Sequence, residues 1–266
     1  MQSIAREISS VQNPEVKRLT RLRERRARTQ ERAFLIEGAR ELERAAQGGV
    51  PLRTLYMCEE LFSPDAHQAL PALHAPDRVH LSRAAFEKAS VRENPDGLLA
   101  VADLPARPAP DLPHDALLLV LVGVEKPGNV GALLRSADGV GADAVLVVGG
   151  VDLENPNVIR ASQGSVFTQT LFTLPEADAL PWLRAQGFRV AAITPDGAQN
   201  YWDADLTGRV AVCLGAEHAG LPAAWREHPD LKLAIPMRGA ADSLNVSTAG
   251  ALVLYEALRQ RGPREQ

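Results

Sequence analysis

The sequence predicts an α/β protein in which a C-terminal, mostly parallel sheet with helices on both faces follows a small N-terminal α/β domain. Three observations carry this. Beyond residue 116, five short continuous apolar runs alternate with helical patterns, as expected of strands buried on both faces and joined by crossover helices. Pro105 to Pro113 holds four prolines in nine residues, too many for a helix or an interior strand, which marks an extended connector. The 266 residues, 45% hydrophobic and 23% charged, exceed one usual domain and supply a sizeable core. The predicted division is 1–104, a proline-rich linker at 105–115, and 116–266.

Before the linker, basic and amphipathic helical stretches at Val16 to Arg28 and Gly38 to Ala46 alternate with apolar runs at Thr54 to Met57 and Leu98 to Val101. After it, the predicted strands are Leu117 to Val124, Ala144 to Val148, Phe188 to Ile193, Val210 to Leu214 and Leu231 to Ile235, all rich in Val, Leu and Ile. Helices fall at Val130 to Val140, Asn157 to Val166, Glu176 to Gln186 and Val246 to Arg261. In the last of these, Ala251, Leu254, Tyr255 and Leu258 form an apolar stripe that Val253 and Ala257 widen. A stripe that wide serves either the core or a subunit contact.

Composition excludes several classes. No stretch reaches the roughly 20 apolar residues of a membrane span, and Met1-Gln2-Ser3-Ile4-Ala5-Arg6-Glu7 lacks the apolar core of a secretion signal, so a cytoplasmic protein without a membrane partner is expected. Cys58 and Cys213 are far apart and lack neighbours at ligand spacing, so neither a metal nor a disulfide framework is expected. The formal charge is -4, yet Val16 to Arg32 carries eight basic residues against two acidic ones. A solvated helix face is one reading of that run. Arginine dominance favours the other, a grip on phosphate by Arg18, Arg21, Arg25, Arg26 and Arg28.

Three segments hold candidate chemistry. In Gly123-Val124-Glu125-Lys126-Pro127-Gly128-Asn129-Val130-Gly131-Ala132-Leu133-Leu134-Arg135, the glycine spacing is that of a phosphate loop, but Asn129-Val130 stands where Lys and Ser or Thr are required. A nucleotide triphosphatase is thereby disfavoured, and no G-x-G-x-x-G follows a predicted strand. Asn129 is either a helix cap or a site residue, and Arg135 either pairs with Asp138 or Asp143 or reaches substrate at the sheet rim. In Gly215-Ala216-Glu217-His218-Ala219-Gly220, two glycines around one acid suggest a turn that approaches a ligand, with His218 on the surface. In Ile235-Pro236-Met237-Arg238-Gly239-Ala240-Ala241-Asp242-Ser243-Leu244-Asn245-Val246-Ser247, three small polar side chains alternate before the last helix. They can orient a hydroxyl or cap the helix; Asn245 is read as catalytic and Ser247 as a cap. Thr194, before Pro195-Asp196-Gly197, is a further candidate.

Together these three motifs resemble the SpoU/TrmH class of RNA 2′-O-ribose methyltransferases in the SPOUT superfamily. The resemblance implies a parallel sheet threaded into a deep trefoil knot, a homodimer, and S-adenosylmethionine as methyl donor. It assigns catalysis to Asn129, Arg135, Glu217, Ser243 and Asn245, and cofactor contacts to Leu214, Gly215, Ile235, Pro236, Met237 and Leu244, with Thr194 as a further candidate. The segment Asn157-Val158-Ile159-Arg160-Ala161-Ser162-Gln163-Gly164 also resembles the family and makes Arg160 an RNA-phosphate contact. Ile8 to Lys17, the arginine run and Phe34 to Arg40 resemble the RNA-binding domain of rRNA-modifying members, which implies rRNA, of the large subunit, as substrate. A tRNA methyltransferase, a non-catalytic RNA-binding or ribosome assembly factor, and a nucleotide-dependent enzyme are the alternatives.

Overall fold

The computed structural model describes residues 6–262; the opening residues 1–5, read above as lacking a secretion signal, lie outside them. In chain order the first half holds β1 (Arg6–Ile8), α1 (Pro14–Arg21), α2 (Arg25–Glu31), β2 (Ala33–Glu37), α3 (Ala39–Gln47), β3 (Leu52–Met57), α4 (Pro64–Ala69), β4 (Asp77–Leu81), α5 (Arg83–Ala89) and β5 (Leu98–Asp103). There follow β6 (Leu117–Val122), α6 (Pro127–Val140), β7 (Ala144–Val148), α7 (Pro156–Ala161), α8 (Ser165–Thr168), β8 (Leu171–Leu174) and α9 (Glu176–Ala185). The chain closes with β9 (Arg189–Ile193), β10 (Gln199–Asn200), β11 (Val210–Gly215), α10 (Ala223–Glu227), β12 (Leu231–Ala234) and α11 (Val246–Arg261). Contacts divide it into two units, one reaching Ala106 and including Asp152–Thr168, the other made of Arg107–Val151 and everything from Gln169. Residues 152–168, which strand and helix alternation alone assigns to the second domain, thus pack in the first unit.

The first unit is built on a sheet of order β1-β4-β3-β5-β2, parallel across β1, β4 and β3 and antiparallel where β5 meets β3 and β2. Val16 and Leu19 from α1, Leu22 at its C-terminal cap and Phe86 from α5 cover one face, against Tyr56, Val79, Leu99 and Val101. The basic stretch expected as one helix is two. Arg28 folds back so that Nη1 donates to the carbonyls of Leu22 at 2.8 Å and Arg23 at 2.6 Å, groups that the end of α1 leaves free, while Nη2 pairs with Asp152. Only 2% of Arg28 is exposed, so it is a structural pin and not an RNA contact. Arg18 is similarly committed, its Nε donating to Glu31 at 2.5 Å. Arg21, Arg25 and Arg26 remain exposed. The helix expected over Asn157 to Val166 also breaks, because Gln163 and Gly164 adopt left-handed φ angles of 53° and 81°. The break turns α8 so that Phe167 meets Phe34, ring centroids 6.0 Å apart.

The second unit carries an all-parallel sheet of order β10-β12-β9-β11-β6-β7-β8. The five strands expected from apolar runs are its centre. The two edge strands escaped sequence reading: β8 is four residues long and half open to solvent, and β10 is a Gln-Asn pair without apolar signal. All six residues of β6 are buried, Leu118, Val120 and Val122 packing in one cluster with Leu180 and Leu183 of α9 and Trp225 of α10. On the opposite face α11 lies against α6 and against β11. Cys58 and Cys213 are buried free thiols. Among the described residues, no helix is long and apolar enough to cross a membrane.

Removing one partner of a buried, hydrogen-bonded pair strands the other charge. Arg28→Ala is expected to lower unfolding free energy by about 3 kcal/mol in urea denaturation, with Arg25→Ala near zero as the control. Equal stability of the two variants would contradict the pin.

Candidate active site

Strands β12, β9 and β11 are neighbours and end at one rim of the sheet, the position where open α/β folds hold ligands. A cavity of about 460 Å³ opens there, lined by Ile193, Thr194 and Pro195 at the end of β9 and just beyond, Leu214, Gly215, Ala216 and Glu217 likewise at β11, and Ala234 through Met237 at β12. Asp242, Ser243, Leu244, Asn245 and Val246 close it as the chain enters α11. The turn after β11 is tight: the Gly220 amide donates to Ala216 O at 2.8 Å. A Cβ on Gly215 would stand 2.1 Å from the Gly220 carbonyl carbon and 2.2 Å from the Leu221 nitrogen, both backbone, so only glycine fits.

The walls are chemically divided. Ile193, Leu214, Ile235, Met237 and Leu244 provide an apolar lining, and Thr194 contributes a hydroxyl from a residue that is only 5% exposed. That hydroxyl makes no well-formed hydrogen bond, although the Asp196 carboxylate lies close enough to feel it. Lys232 Nζ donates to Asp196 at 2.7 Å, bracing the turn against β12 and, with Thr194, holding the Asp196 carboxyl below its usual range.

A hydrogen-bond chain joins the three sequence motifs. Asn129 Nδ2 donates to Glu217 Oε1 at 2.5 Å, and Asn245 Nδ2 donates to Asn129 Oδ1 at 3.1 Å. Asn245 Oδ1 then accepts from the Ser247 amide at 2.8 Å and from Ser247 Oγ at 2.6 Å. Asn245 is therefore both the cap of α11 and a member of the cavity wall. Asn129 sits in the first turn of α6, after Pro127 at its first position, and bonds side chains instead of capping.

Gly250 brings the two helices to this distance. A Cβ there would meet Leu133 Cδ2 at 2.3 Å and Leu214 Cδ1 at 2.6 Å, so α11 approaches α6 and β11 through a position without a side chain.

The remaining candidates are elsewhere. Arg135 is exposed on α6, does not line the cavity, and among the described residues has no ion pair with Asp138 or Asp143. Six residues beyond Asn129, it lies about 9 Å along the helix and about 120° round it. Arg160 is exposed on α7 in the first unit, as Arg21, Arg25 and Arg26 are on α1 and α2. Lys126 and Asp242 line the cavity and were not singled out from sequence. Lys126 stands three residues before Asn129, which is the signal that could have found it.

Residues 116–255 match the SpoU rRNA Methylase family. The chain belongs to that family. Residues 13–100 match an MRM3-like substrate binding domain, so a SpoU domain and a substrate-binding domain together account for most of the chain. Among SpoU relatives, the 23S rRNA (guanosine(2553)-2′-O)-methyltransferase RlmP of Bacillus subtilis is 30% identical over 94% of this chain and 98% of its own. A solved RNA 2′-O ribose methyltransferase superposes with a TM-score of 0.86 and 49% identity, over 96% of this chain and 98% of that one. The SpoU methyltransferase AviRb of Streptomyces viridochromogenes, solved with its cofactor AdoMet, gives 0.85 and 29%, over 94% of this chain and 98% of that one.

Because Gly250 sets how closely α11 approaches α6, Gly250→Val is expected to overpack the contact and cost about 2 kcal/mol. A crystal structure should show Asn245 drawn out of hydrogen-bond range of Asn129; an unmoved α11 would refute the role given to the glycine.

Proposed function

We propose that this protein transfers a methyl group from S-adenosylmethionine to a ribose 2′-hydroxyl of large-subunit rRNA. The observation that carries the reading is the Glu217–Asn129–Asn245 chain, whose two outer members line a cavity that also has apolar walls. The cavity fits the donor: its size is that of a small-molecule site, its apolar walls suit an adenine, and the unfilled Thr194 hydroxyl awaits a polar partner. When bound, S-adenosylmethionine supplies an electrophilic methyl group, so the chain's task is alignment and charge stabilisation. Leu214, Gly215, Ile235, Pro236, Met237 and Leu244, with Thr194, hold the cofactor. Glu217, Ser243 and Asn245 orient the ribose hydroxyl, and Asn129 links the first to the last. With the donor bound, the ribose oxygen would take the methyl group, S-adenosylhomocysteine would be the leaving group, and the hydroxyl proton would pass to solvent water.

Arg135 binds the phosphate beside the target ribose and stabilises the developing alkoxide. Its exposed position fits delivery into the cavity of a second subunit. Leu252 and Tyr255 of α11 are exposed apolar side chains, and Tyr255 Oη would stand 3.0 Å from a Cβ at Gly139 of α6, so both helices contribute to one face suited to a twofold dimer. The first unit, with Arg21, Arg25, Arg26 and Arg160 exposed, grips the RNA backbone. The trefoil threading implied by the resemblance and a cytoplasmic location, with the ribosomal RNA, belong to the same reading.

Two experiments test it. Thr194→Val should weaken S-adenosylmethionine binding about tenfold in calorimetry without lowering the stability of the free protein, since the hydroxyl is unsatisfied there. Unchanged affinity would remove Thr194 from the cofactor site. In equal mixtures of Arg135→Ala with Asn245→Ala chains, refolded together, about a quarter of the sites should regain both residues if Arg135 acts across a twofold dimer. Methyl transfer that stays at the level of the separate variants would place Arg135 within its own subunit.

A further inference from the structure

The hydrogen-bond chain has two ends whose polarity leaves no choice. Glu217, as a carboxylate, only accepts, so Asn129 must turn Nδ2 toward it and Oδ1 toward Asn245. At the opposite end the Ser247 backbone amide only donates, so Asn245 must turn Oδ1 toward α11 and Nδ2 toward Asn129. These two anchors, separated by the whole chain of bonds, specify the same orientation for both amides. They meet without conflict at the Asn245–Asn129 bond of 3.1 Å.

Counting what is left assigns the chemistry. Asn245 Oδ1 has two lone pairs, and Ser247 occupies both, one through its amide at 2.8 Å and one through Oγ at 2.6 Å. Its Nδ2 has two N–H groups, of which Asn129 takes one. A single N–H therefore remains for the cavity that Asn245 lines. We infer that Ser247 is a positioning residue, which saturates the Asn245 carbonyl and leaves Asn245 a hydrogen-bond donor only toward the reacting ribose oxygen. On this assignment, which rests on the methyl-transfer reading, Asn245 stabilises charge as it develops on that oxygen and takes no part in removing its proton.

The test uses the full chain, S-adenosylmethionine, and an unmodified large-subunit rRNA transcript. Asn245→Asp, which replaces the donor by a carboxylate, should slow single-turnover methyl transfer about 100-fold at neutral pH, the usual loss for a removed oxyanion donor. Its rate relative to that of the unmutated protein should recover as pH falls toward the carboxyl range, where the protonated acid donates again. Ser247→Ala should slow transfer about tenfold with S-adenosylmethionine affinity unchanged, because the Asn245 carbonyl, still held by the backbone amide, regains one free lone pair that accepts from the ribose hydroxyl. Ser247→Thr, which keeps the hydroxyl, should restore the rate. Near-normal transfer by Asn245→Asp at neutral pH, or by Ser247→Ala, would overturn the inference. Equal losses in Ser247→Ala and Ser247→Thr that track melting temperature would reduce Ser247 to a helix cap and overturn it as well. An unmutated chain that binds S-adenosylmethionine but methylates no ribose would overturn the functional reading itself, and the inference with it.

Discussion

The contact on which the site depends is apolar and contains no catalytic residue. Helix α11 lies against α6 and β11 through Gly250, with Leu133 and Leu214 filling the space a side chain would have taken. Asn129 in the first turn of α6 and Asn245 at the cap of α11 are thereby brought into a hydrogen bond of 3.1 Å. The chain is half-buried at Asn129 and Glu217 and exposed at Asn245, so its order rests on each member's meeting its partner. Here the two ends are a carboxylate and a helix-cap amide, so each internal amide has its orientation dictated from outside.

The sheet supplies the second constraint. Adjacent parallel strands deliver their carboxyl ends to one side, and three of them end in loops of different character: a threonine before a Pro-Asp-Gly turn, a glycine turn around Glu217, and a proline that breaks β12. The backbone after β11 is so closely folded that no side chain fits at Gly215. Apolar side chains and hydrogen-bonding groups from these loops thus line one cavity.

Charge in the first unit illustrates how a run of one residue type divides by environment. Arg18 and Arg28 have carboxylate partners, and Arg28 also closes the carbonyls at the end of α1, whereas Arg21, Arg25 and Arg26 face solvent. Guanidinium groups suit both tasks, since a planar fork of donors serves two carbonyls and a carboxylate as well as it serves phosphate. Composition does not distinguish the two uses. The pairing of Arg28 with Asp152, 124 residues away, does.

Sequence by itself determined much of this protein. The five apolar runs became the central strands, the glycine turn and the Pro236 break fell at strand ends, and α11 spans Val246–Arg261 as its pattern specifies. These are local matters of periodicity, propensity and turn chemistry, each written within about a dozen residues. Tertiary structure decided what depends on distant neighbours: the short edge strands β8 and β10, the break between α7 and α8, the membership of 152–168 in the first unit, and the loss of Arg28 from the basic surface. It also placed Arg135 outside the cavity of its own chain while drawing Asn129, Glu217 and Asn245 into one line of hydrogen bonds. The physical reason is one of range: a motif specifies which groups a loop carries, but which of them meet depends on how closely whole helices pack, and that is set by side chains, or their absence at Gly250, on elements far apart in the chain.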